Sequence, residues 1–187
     1  MEQPKIFLYD TVDSTNTVCK SLAAQGAPSG TAVIARRQTV GRGRMGRSFE
    51  SPEGLGLYLS VLWRPEGTPE DLLPLTPMAA VSAAMAIHRI TGAPVRIKWP
   101  NDLVLEGWKL AGILTEASLS GRGVDHVVIG IGVNCNNASE DFPPELREVA
   151  TSLYLETGKR VQRAALAMEE ALGGVLTGGH VIAKHGE

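Results

Sequence analysis

Residues 98–116 read KWPNDLVLEGWKLAGILTE. Pro100 cannot donate to a sheet ladder and holds Trp99 extended, so the strand predicted over Val95–Trp99 stops there. Leu103–Leu105 and Lys109–Glu116 are apolar runs on either side of Glu106-Gly107, the pattern of a β-hairpin. Asn101 and Asp102 then fall at a strand end, where functional groups collect, although an Asn-Asp turn is the plainer reading. Lys109 stands inside an apolar arm, and alternation groups it with Ala111 and Ile113 on one face or the other. Gly112 in the same arm marks the close approach of another backbone or of a ligand.

Working outward, Gly56–Trp63 (GLYLSVLW) and Thr31–Ala35 read as strands, and Lys5–Asp10 as a shorter one. Val127–Val133 is apolar throughout, as a central strand should be. Ser14–Gln25 carries Val18, Leu22 and Ala23 at helical spacing, with Ser14 or Thr15 as cap and Gly26 past its end. Thr76-Pro77 predicts the start of a second helix, Met78–Ile90, closed by Gly92. It is so poor in polar residues that burial on most sides is expected. Residues 136–153 predict loop with a turn or two of helix, and Gln162–Leu172 an amphipathic helix. This order of elements predicts an α+β domain, a mixed β-sheet flanked by helices. The domain is expected to span residues 1–172, with the Gly-rich residues 173–187 as a poorly ordered tail.

A second stretch, QTVGRGRMGRSF at 38–49, is unusual for its charge. Five of the chain's twelve arginines lie within Arg36–Arg47, yet the net charge is −2. Glycines at 41, 43 and 46 allow positive φ and close approach to a ligand, and Arg42, Arg44 and Arg47 offer planar forks of donors for phosphate or carboxylate. A nucleic-acid segment has the same composition, but a dedicated nucleic-acid binder carries a basic footprint over the whole domain. So dense a run, with so few apolar side chains, predicts an anion-binding loop that is ordered by its ligand. In IGIGVN, 129–134, Gly130 and Gly132 share one face of a strand. They leave room either for a flat ligand or for a tight sheet–helix contact. No third glycine opens a helix after them, so this is not a dinucleotide fingerprint.

The two cysteines, Cys19 and Cys135, have no metal-ligand spacing. The N-terminus has no signal pattern, and no apolar run is long enough to cross a bilayer. A cytoplasmic protein without a membrane partner is the expectation.

STN at 14–16, QTVGRGRMGR at 38–47, KWPND at 98–102, KLAGIL at 109–114 and GIGVN at 130–134 together resemble the biotin–protein ligases. The match runs from about Lys5 to Leu172 in the family's order. The resemblance implies a sheet like that of class II aminoacyl-tRNA synthetases and a two-step reaction. Biotin and MgATP give biotinyl-5′-AMP and pyrophosphate, and a lysine of a biotin carboxyl carrier domain then attacks the acyl-adenylate. Residue by residue, it implies that Lys109 bridges the biotin carboxylate and the α-phosphate, that Arg44 retains the intermediate and that Arg47 binds ATP phosphates. Ser14, Thr15, Gln38, Gly41, Arg42 and Gly112 match the biotin pocket. Asn101 and Asn134 match positions near the nucleotide, and Asp102 the carboxylate that orients or deprotonates the incoming lysine. Mg²⁺ arrives with ATP, and no metal site of the protein's own is implied. Some members form homodimers edge to edge.

Three features depart from the family's usual pattern. Phe49 stands where a tryptophan near adenine is common, and its ring can still stack. Thirteen residues precede Ser14, which leads to the expectation of no DNA-binding domain and no DNA partner. A C-terminal SH3-like domain is expected to be missing too, which opens an alternative: a biotin-binding member without efficient transfer. Retention of Lys109, the three loop arginines and Asp102 favours the enzyme.

Overall fold

The structure is a computed structural model that describes residues 5–121, 123–172 and 180–184. Its strands are β1 (Lys5–Val12), β2 (Ala32–Gln38), β3 (Gly56–Trp63), β4 (Arg96–Lys98), β5 (Asp102–Leu105), β6 (Trp108–Ser120), β7 (Gly123–Asn134) and β8 (His180–Lys184). They form one eight-stranded sheet in the order β4-β5-β6-β7-β3-β2-β1-β8. β1 pairs parallel with β2 and β8, and every other neighbouring pair is antiparallel. The sheet is therefore mixed, as expected. The parallel β1–β2 pair is made possible by a crossover through α1 (Thr15–Ala24). The remaining helices are α2 (Leu75–Thr91), α3 (Leu153–Thr157) and α4 (Arg163–Leu172).

The alternation of strand side chains gives the sheet two apolar faces. Leu57, Leu59, Ile113, Ile131 and Val133 face one layer, with Ala80, Ala83 and Ile87 of α2 and Leu166 of α4 in the same cluster. Val33, Leu62 and Val128 face the other, against Cys19 and Ala23 of α1. Both cysteines are buried, and burial pushes the Cys19 thiol up to about 12. A disulfide-exchange reagent at pH 8 should therefore titrate no thiol in the folded protein and two after denaturation.

Glu106 and Gly107 turn the predicted hairpin with φ of 49° and 90°, as a two-residue hairpin turn requires. Other expectations shift. β4 is only three residues long, and all three are exposed. α2 starts at Leu75 after Pro74, so Thr76 is not its cap; the Thr76 hydroxyl instead donates to Thr115 Oγ1 of β6, 2.9 Å away. Nor is α2 buried on most sides. Its alanines let it lie close to the sheet, while Met78, Val81 and Met85 point outward and are exposed. Within the tail expected to lack order, His180–Lys184 forms β8 along β1, and the rest of 173–187 lies outside the described residues. The open edge of β1 and the β-branched pair Val181-Ile182 account for that strand. Among the described residues no helix is long and apolar enough to cross a membrane.

Candidate active site

A cavity of about 200 Å³ opens on the α1 side of the sheet, between the start of α1, the 41–49 loop and the strands β5, β6 and β7. Ser14, Thr15, Gln38, Arg42, Arg44, Arg47, Phe49, Asn101, Asp102, Lys109 and Gly112 all line it. Residues up to 98 positions apart in sequence are thereby brought to one place.

Lys109 reaches the cavity because of a β-bulge. Asp102 pairs with Gly112 and Leu103 with Ala111, but Val104 pairs with Lys109, so Leu110 has no partner in the ladder. Strict alternation would put Lys109 on the same face as Ala111 and Ile113, which is apolar core. The extra residue reverses the parity: Leu110 joins that core, and Lys109 moves to the opposite face. Its Nζ lies 2.9 Å from Asp102 Oδ1. A Cβ on Gly112 would stand 3.6 Å from Lys109 Cε, so the chain of Lys109 lies over this glycine. The bulge is clasped from outside. Lys109 N–H donates to Val149 O at 3.0 Å, and Thr151 N–H donates to Lys109 O at 2.8 Å.

The loop folds over the cavity through a bridge between Arg42 and Ser48 and a 3₁₀ turn at Arg44–Gly46. Its three glycines differ. Only Gly46 has positive φ, at 74°, and Met45 before it also lies in the left-handed region at 56°. Gly41 is needed for space, because a Cβ there would lie 2.1 Å from Phe49 O. Arg44 Nη1 donates to Asn101 Oδ1 at 3.0 Å, and Asn101 Nδ2 donates to Asp102 Oδ1 at 3.2 Å. A continuous polar chain thus runs from Arg44 through Asn101 and Asp102 to Lys109. Among the described residues the exposed Arg47 guanidinium has no ion-pair or hydrogen-bond partner.

The cavity has two chemically distinct ends. At one, Lys109 and Arg44 converge on a single carboxylate, Asp102, directly and through Asn101, while Arg42 turns away to pair with Glu116 at 3.7 Å. At the other, the groups are neutral. Thr15 N–H donates to Gln38 Oε1 at 2.8 Å, and Gln38 Nε2 donates to Ser51 Oγ at 2.8 Å. Ser14 occupies the N-cap of α1 but makes no side-chain cap bond, which leaves its hydroxyl for the cavity.

Two expected members stand apart from the lining. Asn134 Nδ2 donates to Thr151 O at 3.0 Å, so its amide fastens the segment that clasps Lys109 rather than facing the cavity. Gly41 packs against the return of the loop. Gly130 and Gly132 do line the cavity, but the room they leave is taken by protein. Added Cβ atoms would meet Asn16 Oδ1 at 2.1 Å and Phe49 Cε1 at 2.7 Å. Phe49 lies over Gly132, edge-on to Tyr58 with ring centroids 6.5 Å apart. Asn16, Ser60 and Glu116 were not anticipated as site residues. The available signals were Asn16 within the STN motif and a serine in the otherwise apolar strand GLYLSVLW.

The family model for the biotin/lipoate A/B protein ligase family matches residues 8–134. The chain belongs to this family. It is 43% identical over 161 residues to the bifunctional ligase/repressor BirA of Bacillus spizizenii, covering 86% of this chain and 50% of that protein. To the biotin–[acetyl-CoA-carboxylase] ligase of Paracoccus denitrificans it is 43% identical over 130 residues, covering 68% of this chain and 53% of that protein. The biotin protein ligase of Aquifex aeolicus, solved in complex with biotin and ATP, superposes with a TM-score of 0.76 at 36% identity, over 90% of this chain and 67% of that one. The chain thus spans about half the length of these curated relatives. The ligase sheet flanked by helices, anticipated from the motif set, is the fold observed.

Proposed function

We propose that this chain activates biotin with ATP to biotinyl-5′-AMP and passes the biotinyl group to a lysine of a biotin carboxyl carrier domain, residues 1–172 forming the catalytic unit. The observation that carries this reading is the two-ended cavity, with Lys109 bent into its cationic end by the bulge. Biotin has a neutral cyclic urea at one end and a carboxylate at the other, matching the Ser14–Thr15–Gln38 end and the Lys109 end. Relatives named for biotin ligation, and a neighbouring structure that holds biotin and ATP together, support the same reading.

In the first step a biotin carboxylate oxygen attacks the α-phosphorus of ATP. The bond to the bridging oxygen breaks, and pyrophosphate leaves with the electron pair. Two anions must meet, so the catalyst's main task is to neutralise and align them. Lys109 Nζ is placed to touch both, and Arg44 and Arg47 approach from the loop. Mg²⁺ enters bound to the nucleotide phosphates. In the second step an uncharged lysine amine attacks the acyl carbon, AMP leaves, and the amine's proton passes to a base. Asp102 Oδ1, beside Lys109, is the carboxylate at hand. Loop closure keeps water from the acyl-adenylate.

Biotin-dependent exchange of labelled pyrophosphate into ATP should be detectable. Addition of a carrier domain should then give a biotinylated lysine. Absence of exchange overturns the proposal. Exchange without transfer confines it to the first step.

A further inference from the structure

Behind the neutral end of the cavity stands a carboxylate that no step above uses. Glu116 lies on β6, two and four residues beyond Leu114 and Gly112 on the same face, and does not itself line the cavity. Its Oε1 is 2.5 Å from Lys20 Nζ and 3.7 Å from Arg42 Nη1. Its Oε2 accepts from Asn16 Nδ2 at 2.8 Å. Partial burial pushes the carboxyl up. The hydrogen bonds from Lys20 and Asn16 and the charges of Lys20 and Arg42 together outweigh this, and the group is held below its ordinary value.

A fixed negative charge at 2.8 Å, with the longer 3.4 Å contact to Leu114 O beside it, determines which way Asn16 points. An amide facing a carboxylate must present its NH₂, so its oxygen faces the other way. That oxygen lies 2.6 Å from Ser60 Oγ, and Ser60 is fully buried. Ser60 has one proton and gives it to Asn16 Oδ1. Ser60 Oγ is also 2.8 Å from Thr15 Oγ1, a contact that now needs the Thr15 proton. The other acceptor near that proton, Gln38 Oε1, is farther at 3.1 Å and already accepts Thr15 N–H. With its proton turned inward to Ser60, Thr15 Oγ1 keeps its lone pairs for whatever occupies the cavity.

We propose that Glu116 is a positioning residue for ligand recognition: through Asn16 and Ser60 it fixes the Thr15 hydroxyl as an acceptor for a ring N–H of the bound ligand. The inference rests on the biotin reading above and adds the reason this wall selects a cyclic urea. Without the charge, only the longer contact to Leu114 O holds the Asn16 amide, which can then turn over; the chain of protons reverses, and Thr15 can present its hydrogen to the ligand.

The test is calorimetric binding of biotin to the whole chain and to Glu116→Gln, Asn16→Ala and the double variant. The two carbamate analogues in which oxygen replaces one ring N–H or the other serve as further ligands. The intact protein should bind at least one analogue about 10- to 100-fold more weakly than biotin, because a buried acceptor then faces oxygen. Glu116→Gln should lose about tenfold in biotin affinity, and its preference for biotin over that analogue should fall below about threefold. Its biotin KM in pyrophosphate exchange should rise about tenfold while kcat and the KM for ATP move less than twofold. Asn16→Ala cuts the same chain, so it should show the same loss of preference, and adding Glu116→Gln to it should cost nothing further. An undiminished preference in both single variants overturns the inference, as does an ATP KM that rises with the biotin KM. No biotin binding by the intact chain is a different result, which overturns the functional reading itself.

Discussion

Replacing Lys109 with alanine is expected to lower biotin-dependent pyrophosphate exchange about 10³-fold, with biotin binding weakened less than about tenfold. Removing one preorganised group that stabilises developing charge typically costs 10²–10³ in rate, about 3–4 kcal/mol. Lys109 touches both reacting anions in the proposed step, so the upper end applies. The fold should survive. The Lys109 side chain is 41% exposed, and its pair with Asp102 is the kind of ion pair worth about 0–1 kcal/mol. The main-chain clasp from Val149 and Thr151 is untouched by the substitution. Equilibrium unfolding of the variant within about 1 kcal/mol of the parent, together with lost exchange, assigns the loss to chemistry. Exchange that persists within tenfold would remove Lys109 from the reaction.

Lys109 also shows where the sequence is legible and where it is not. Its motif marks it as a reactive residue, and the hairpin around Glu106-Gly107 was evident from the turn pair. Which face it occupies could not be read, because the parity of the strand is reversed by a bulge at Leu110 that leaves no local signature. The apolar strands β3 and β7 announce themselves by continuous hydrophobicity, which burial on both faces requires. The edges are harder. β4 is exposed throughout, and β8 forms where an edge of β1 is open for it. Pairing of that kind depends on a distant strand rather than on local pattern. The same holds for the site. The loop arginines stand out by density, whereas Asn16, Ser60 and Glu116 become a unit only when α1, β3 and β6 meet across 100 residues. Gly130 and Gly132 were legible as a gap, but not that Asn16 and Phe49 occupy it.

The loop glycines give the second large effect, and they allow it to be set against an internal control. Gly41→Ala is expected to weaken biotin binding about 10- to 100-fold, and Gly46→Ala less than about fivefold. At Gly46 the difficulty is conformational only. Its φ is 74° and nothing lies within 4 Å of an added Cβ, so alanine costs on the order of 1 kcal/mol at an exposed turn. At Gly41 the obstacle is solid. A methyl group would sit 2.1 Å from Phe49 O and 2.7 Å from Ser51 Oγ, and the first of these is backbone. Phe49 N–H donates to Gly41 O at 3.0 Å, so the two strands of the loop cannot part without breaking that bond. Ser51 accepts from Gln38, whose oxygen accepts from Thr15, so displacement at Gly41 passes directly to the neutral end of the cavity. Overpacking of this kind costs about 1–3 kcal/mol, and here most of it falls on the bound geometry, since the loop can relieve the clash only by opening. Binding of biotin to the two variants, measured side by side, decides the matter. Equal effects would mean that loop flexibility, rather than the crossing at Gly41, is what the glycines supply.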